Sequence, residues 1–254
     1  MGRWWCCGLG TATGSIAVPA GGQTVELPLQ VGGGASLCPT TQTNGPLCDG
    51  FEMDRMQFWN SPVTQNAMDR ASAVEVVTTK ARRGTHSLHV STGAIGPNDM
   101  GGGLVIATLN ETKYLPVPTV FVRMFVNIPQ DFNTSVAGAL LIVENSTTFQ
   151  QIEVSVESQA LNVFDSIDGK KYPGTGNLTY DSWHCIELEI ENGNPGAIHL
   201  WLDEAESLSQ SGVNTNGNFN MLAVGLVDTL TGSPDRELWI DEVAVDSTRI
   251  HCYN

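Results

Sequence analysis

Two glutamates in one predicted strand are the first candidates for chemistry in this sequence. Apolar and acidic residues alternate from Cys185 to Glu191, so Glu187 and Glu189 should share one face of a strand. Two carboxylates on one face can hydrolyse a glycosidic bond. The Glu-x-Asp-x-x-Glu signature of glucanases is absent, however, and alternating glutamates usually form the solvated face of a strand. We therefore expect a solvated face here.

One tryptophan is a candidate for binding a sugar ring. Trp201 lies in the alternating run from Ile198 to Asp203 and shares its predicted face with His199 and Asp203. An aromatic ring beside polar groups is suited to stacking on a sugar. The sequence contains neither the nucleophile motif Gly-x-Ser-x-Gly nor a phosphate-binding loop. Trp201 is therefore a predicted carbohydrate-binding residue.

The elements that must position these residues are short strands. From Leu47 onward, alternating apolar runs are separated by Gly, Pro, Asn and Asp, which is typical of a β-sandwich. We predict an all-β protein, a two-sheet jelly-roll sandwich of the concanavalin A type with about eleven strands. Residues 1–46 are predicted to be an irregular leader or linker with one possible strand at 24–31, and residues 47–254 the jelly-roll domain. The predicted strands are 73–79, 86–92, 103–109, 119–127, 138–144, 150–157, 160–165, 184–191, 197–203, 220–227 and 237–246.

Three separated segments carry a resemblance to a known family. They are Cys48-Asp-Gly-Phe-Glu52, Arg83-Gly-Thr-His-Ser-Leu-His-Val90 and Leu238-Trp-Ile-Asp-Glu-Val-Ala-Val245. In this order they resemble the calcium-binding core of jelly-roll carbohydrate-binding modules. They are still more similar to secreted polysaccharide-lyase-like jelly rolls, a group that includes a cellulose-induced fungal protein. The resemblance covers roughly residues 48–252.

The resemblance implies a calcium site at the closure of the sandwich. In a jelly roll the first and last strands are neighbours, so Glu52 and Asp241 can approach each other. The resemblance makes these two carboxylates, with atoms of Arg83 and His86, the ligands of a structural calcium ion, because calcium takes six to eight oxygen ligands. The alternative is that Glu52 and Asp241 accept hydrogen bonds from a turn.

The resemblance also implies candidate catalytic residues. Lyases of this architecture cleave uronate polymers by β-elimination, with one residue that neutralises the carboxylate and others that act as base and acid. In this sequence the candidates are Arg123, Gln151, Tyr180 and His199, with Trp201 and Glu153 as carbohydrate-binding residues. Better-known lyases of the family carry a Gln-x-His pair and a Tyr-x-Lys pair on adjacent strands. Neither pair occurs here, which argues against lyase activity.

Four of the six cysteines are candidates for disulfides. No CxxC pair recurs, so zinc binding is not favoured. Cys38 and Cys48 are ten residues apart and could form one disulfide, and Cys252 could pair with Cys185. Four cysteines allow three connectivities, and their spacing leaves the choice open. Cysteines and fold together predict a secreted, extracellular protein.

Charge limits the partners. Twelve basic residues against 27 acidic ones give a net charge of −15, which opposes nucleic acid and weakens the attraction of a polyuronate. No apolar run approaches the length of a membrane helix. We expect a glycan-interacting protein with weak or no catalysis. The alternatives are an active polysaccharide lyase and a structural or adhesive protein that self-associates through its N-terminal segment.

Overall fold

The computed structural model describes Ser36, Cys38 and residues 47–52, 59–66, 73–92, 101–108, 118–132, 137–228 and 236–252. These residues form fifteen strands and no helix, so the described part of the chain holds no helix that could span a bilayer. The strands are β1 (Leu47–Asp49), β2 (Asn60–Asn66), β3 (Ala73–Val77), β4 (Ser87–Thr92), β5 (Gly101–Thr108), β6 (Thr119–Asn127), β7 (Gly138–Glu144), β8 (Gln151–Glu157), β9 (Ala160–Asp165), β10 (Lys170–Asn177), β11 (Trp183–Glu191), β12 (Gly196–Leu202), β13 (Ala205–Val213), β14 (Met221–Asp228) and β15 (Arg236–Asp246).

The strands make two antiparallel sheets. The eight-stranded sheet runs β13-β12-β11-β6-β15-β4-β3, with β1 also paired to β15. The seven-stranded sheet runs β10-β9-β8-β7-β14-β5-β2. Neighbours such as β6 and β15 are far apart in sequence, as expected when a chain winds back and forth between two sheets. The structure confirms the predicted two-sheet jelly-roll sandwich.

Alternation of side chains builds the core between the sheets. On β11, Ile186, Leu188 and Ile190 are fully buried, and they pack in one cluster with inward-facing residues of the other sheet such as Val154 and Val224. Each fully buried aliphatic side chain contributes about 1.5–3 kcal/mol. The residues between them point away from the core. Each sheet therefore has an outer face.

All eleven predicted strands are present, and the four that were not predicted are short or peripheral. β1 has three residues, while β2 and β10 are the two edges of the seven-stranded sheet and β13 is one edge of the other. Tyr172-Pro-Gly has the composition of a turn, but the segment lies within β10. An edge strand tolerates proline and has little apolar alternation, so its sequence reads as a turn.

The ends of the domain are joined as expected. β1 pairs with β15, with Leu47 opposite Val245, so the first and last strands are neighbours. The disulfides are Cys38–Cys48 and Cys185–Cys252, which settles the connectivity that spacing left open. The possible strand at 24–31, the other cysteines and most of the predicted leader lie outside the described residues.

Candidate functional site

The predicted catalytic residues lie on opposite sides of the sandwich. Arg123 on β6 and His199 on β12 belong to the outer face of the eight-stranded sheet. Gln151 and Glu153 lie on β8 of the seven-stranded sheet and alternate with core residues. Tyr180, between β10 and β11, packs against the main core. The structure therefore does not bring these five residues into one site.

Arg123 is not open to a substrate. It is 2% exposed, and its guanidinium donates from Nη1 to the carbonyl of His251 at 3.1 Å and from Nη2 to the carbonyl of Glu242 at 3.3 Å. Burial lowers the pKa of Arg123, although Glu242 and Glu187 oppose this. Arg123, one of the predicted catalytic residues, instead ties the C-terminal segment 247–252 to the sheet. We call this side of the sandwich the tail-covered face.

Glu187 belongs to the same covered network, and the prediction that it is solvated is wrong. Its side chain is fully buried. One carboxylate oxygen accepts from Nε of Arg249 at 3.1 Å, and the other accepts the amides of Ile250 and His251 at 2.7 and 3.1 Å. The Glu187 carboxylate thus accepts three hydrogen bonds from the C-terminal segment and holds that segment against the sheet. It therefore cannot act with Glu189 as a hydrolytic pair.

Trp201 is likewise covered. It is 9% exposed, and the guanidinium carbon of Arg249 lies 4.2 Å from its ring centroid. His199 stacks against it at 5.7 Å and contacts Glu206 at 3.2 Å. The face of the indole that was predicted to receive a sugar is therefore occupied by side chains of the protein itself.

The other outer face carries the polar residues of β8, β9 and β10. Register places Glu153 beside Phe164, and Phe164 beside Lys171, in one row across three strands. A second row places Ser155 beside Asn162. We call this surface the seven-stranded face; it is defined by Gln151, Glu153, Ser155, Asn162, Phe164 and Lys171. The sequence predicted two of its three β8 members, Gln151 and Glu153, as site residues, and did not predict Ser155 or the members on β9 and β10.

Glu153, at the β8 end of the first row, is partly desolvated. Glu153 accepts from Nε2 of Gln151 at 3.2 Å. Burial raises the pKa of Glu153, and the charge of Lys171 opposes the rise. Lys171 also forms an ion pair with Glu157. A glutamate with a raised pKa next to an amide can accept hydrogen bonds from a sugar or exchange a proton with it.

An apolar floor adjoins these polar groups. Ala139, Ile142, Ala223 and Val227 form a cluster separate from the main core, in which each residue is buried to between 1% and 9% exposure, and Ile142 lies directly beside Glu153. Phe164 adds a half-buried aromatic ring to the row. Aromatic and apolar surface with a few fixed polar groups is the usual composition of a ligand site. The signal for the missed residues was the alternation of Leu161 and Val163 with Asn162 and Phe164.

The four predicted calcium ligands do lie together, around the turn 82–86. Asp241 accepts the amides of Arg82 and Arg83 at 2.8 and 3.1 Å. Glu52 accepts the amides of Thr85 at 2.9 Å and His86 at 3.2 Å. The two carboxylates thus hold the two ends of one turn. Gly84 lies between them in the left-handed region, at φ +64°, with the Glu52 carboxylate against its Cα.

The electrostatics of this turn are unusual because two adjacent acids are fully buried. Asp241 and Glu242 both have no exposed surface. Burial raises the pKa of Asp241 to about 8, and the charge of Glu242 adds to the rise, while three backbone amides oppose it. Among the described residues, no three His, Cys, Asp or Glu side chains are arranged around a common metal position. The oxygen ligands that the side chains offer here are the carboxylates of Glu52 and Asp241, which both accept backbone amides of the turn.

Comparison with known proteins defines the family. Residues 52–244 match the family model described as polysaccharide lyase, so the chain belongs to the polysaccharide lyase family. No curated protein matches the sequence significantly.

Solved structures of low sequence identity share the fold. The endo-β-1,4-glucuronan lyase of the fungus Trichoderma reesei aligns with 80% of this chain and 95% of its own, at 16% identity and a TM-score of 0.63. The cellulose-induced protein Cip1 aligns with 81% of this chain and 99% of its own, at 18% identity and a TM-score of 0.64. The alginate lyase vAL-1 of a Chlorella virus aligns with 76% and 94%, at 12% identity and a TM-score of 0.53.

Proposed function

We propose that this chain binds a polysaccharide on the seven-stranded face and has little or no lyase activity. One observation carries the proposal: Glu153, Phe164 and Lys171 form a row on an outer face, with an amide and an apolar floor beside them. The tail-covered face offers no comparable surface, because Trp201 and Arg123 are occupied by the C-terminal segment. Family membership supports a glycan as the ligand.

The charges favour a neutral glycan over a polyuronate. The described residues of the seven-stranded face include no arginine, and Lys171 is already paired with Glu157. Glu144 and Glu153 add negative charge, with burial raising the pKa of each. A uronate carboxylate would meet these acids on a chain of net charge −15. A neutral β-1,4-linked chain meets no such repulsion.

Gln151 and Glu153 favour a second candidate function, β-elimination. They have the spacing of the Gln-x-His pair of known lyases, with glutamate at the place of histidine. Gln151 would hydrogen-bond the uronate carboxylate, and Glu153 would remove the proton from C5. The C4–O4 bond would break as a C4–C5 double bond forms, and the departing oxygen would take up the proton that Glu153 had removed. A carboxyl with a raised pKa, as burial gives Glu153, is the better base for this step. Tyr180, Arg123 and His199 take no part in it.

A matched pair of ligands separates the two candidates. Titration calorimetry compares β-1,4-glucan and β-1,4-glucuronan oligomers, which differ in the carboxylate, while absorbance reports unsaturated products from the glucuronan. We expect the glucan to bind more tightly, with no product. Phe164→Ala should weaken binding, whereas His199→Ala, on the opposite face, should not. Product formation that is lost in Glu153→Gln would establish the lyase instead, and equal effects of the two alanine variants would overturn the proposed site.

We also propose that calcium stabilises the turn 82–86. The supporting observations are the two carboxylates that bracket one turn, and the complete burial of Asp241 beside Glu242. Oxygen donors of this kind are what calcium prefers. Glu52 and Asp241 would supply carboxylate ligands, with Arg83 and His86 completing the set. The ion would neutralise buried negative charge and would play no part in binding the glycan.

Thermal unfolding with and without a chelator tests this proposal. An ion present at about a hundred times its dissociation constant stabilises a fold by about 2.7 kcal/mol, so chelation should lower the melting temperature clearly. In Glu52→Gln the chelator should have no further effect. If the chelator leaves the wild type unchanged, the amide hydrogen bonds account for both carboxylates and calcium is not bound.

The cellular location is part of the proposal. Two disulfides fit an oxidising compartment, and we expect an extracellular protein. Self-association through the N-terminal segment stays a prediction, since residues 24–31 lie outside the described residues. Sedimentation of the full chain over a range of concentrations would test it, with a single monomeric species as the contrary result.

A further inference from the structure

The loop between β7 and β8 presents an exposed aromatic ring. Phe149 is 72% exposed, and it is the one large hydrophobic side chain with high exposure among the described residues. Its backbone lies in the left-handed region at φ +58°, which is unfavourable for an aromatic residue. Neither the exposure nor the backbone conformation contributes to folding stability. Backbone strain of this kind is concentrated at binding and catalytic sites.

The loop is held rigidly by one asparagine. The side-chain oxygen of Asn145 accepts the amides of Thr147 and Thr148 at 2.9 and 3.1 Å. Its side-chain nitrogen donates to the carbonyls of Gly217 and Asn218, both at 3.0 Å. Asn145 is 9% exposed, so these four bonds are shielded from water. These hydrogen bonds fix the chain that precedes the aromatic residue and tie it to the loop at 217–218.

Backbone bonds complete the clamp. The amide of Phe149 donates to the carbonyl of Asn145 at 2.8 Å, and the amide of Asn145 donates to the carbonyl of Gln150 at 2.9 Å. The ring is therefore presented from a fixed backbone and loses little conformational entropy when it meets a ligand. A rigid aromatic platform gains affinity in this way.

The loop stands at one end of the seven-stranded face. It connects the two strands at the pair formed by Glu144 and Gln151, and Gln151 is a member of that face. Phe149 precedes Glu153 by four residues, a separation of at most about 13 Å. A ligand that contacts both residues would span the loop and the first residues of β8. Thr148 and Gln150 flank the ring with a hydroxyl and an amide group.

We propose that Phe149 is a sugar-stacking residue that extends the glycan site beyond the centre of the seven-stranded face. The inference rests on the proposed function, and it adds a contact outside the centre of the face, so that long oligomers bind more tightly than mono- or disaccharides. The ring stacks on the C–H face of a pyranose and is indifferent to charge. It therefore sets the length of chain that is recognised.

Titration calorimetry with β-1,4-glucan and β-1,4-glucuronan oligomers of increasing length tests this. Phe149→Ala should weaken the binding of long oligomers by about five- to tenfold and leave the shortest ones unchanged, as expected for one aromatic contact. Phe149→Trp should restore the affinity. Thr147→Ala, in the same exposed loop, is the matched control and should have no effect on length dependence. Melting temperatures verify that each variant is folded.

The outcomes separate this inference from the one on which it rests. If Phe149→Ala binds long oligomers as the wild type does while Phe164→Ala does not, the inference is wrong and the proposed function stands. If the wild type binds neither oligomer series, both are overturned. If Phe149→Ala changes the sedimentation of the protein and not its affinity for oligomers, the ring belongs to a protein contact and the inference is wrong.

Discussion

Replacing Glu187 by alanine tests the account of the tail-covered face. The carboxylate is fully buried and holds Arg249 and the amides of Ile250 and His251. Removing one partner of a buried ion pair costs about 3–5 kcal/mol. The Arg249 side chain is 28% exposed and can be hydrated in part, so the low end applies, about 3 kcal/mol. For a domain of this size that corresponds to a fall of about 6–12 °C in melting temperature.

Urea unfolding at neutral pH, followed by tryptophan fluorescence, measures the loss. Glu187→Gln keeps one acceptor oxygen and should cost about half as much. Glu191→Ala, an exposed acid at the end of the same strand, is the matched control and should stay within about 0.5 kcal/mol of the wild type. If Glu187→Ala matches that control, the carboxylate does not latch the C-terminal segment, and the reasoning about this face fails.

Three further predictions concern stability. Gly84→Ala should cost at least about 2 kcal/mol, since φ is +64° and a Cβ would lie 1.9 Å from a glutamate oxygen; Gly169→Ala, at the same φ with open space, should cost about 1 kcal/mol in the same urea experiment. Burial raises the pKa of Asp203, but hydrogen bonds from His184 and a backbone amide outweigh it and lower the pKa below 3.8. The ionised Asp203 therefore stabilises the fold above about pH 4, and this contribution to the free energy of unfolding disappears as the pH falls through the lowered pKa. In acid titrations below about pH 4, the wild type should lose stability more steeply than Asp203→Asn. Removing the disulfide Cys185–Cys252, which spans 67 residues, should cost about 4 kcal/mol, against about 3 kcal/mol for the other, which spans 10; equal losses on thermal unfolding would contradict this.

Most of the fold could be predicted because its information is local. Apolar alternation identified every strand that is paired with a neighbouring strand on each side, such as β6 and β11. It failed for β10 and β13, whose sequences are polar and contain glycine. Both are edge strands, which pair with a neighbour on one side only and do not need an apolar sequence. Closure of the domain was also predictable, because a jelly roll places its first and last strands together.

The site could be predicted less well because it depends on which sheet a strand joins. Alternation showed that Glu187, His199 and Gln151 point away from a core, but it could not assign them to opposite faces. Nor could it show that the C-terminal segment returns over β11 and buries Glu187 under Arg249. The turn 82–86 was found because the resemblance supplied long-range information that spacing lacks. Phe164 was missed although its alternation was visible.

Hydrogen exchange of the full chain with a bound β-1,4-glucan oligomer shows which face of the sandwich binds the glycan. We expect slower exchange in β8 and β9 on binding, around Glu153 and Phe164, with β12 unchanged. Protection of β12, around His199 and Trp201, with none in β8 and β9 would place the ligand on the tail-covered face and contradict the account.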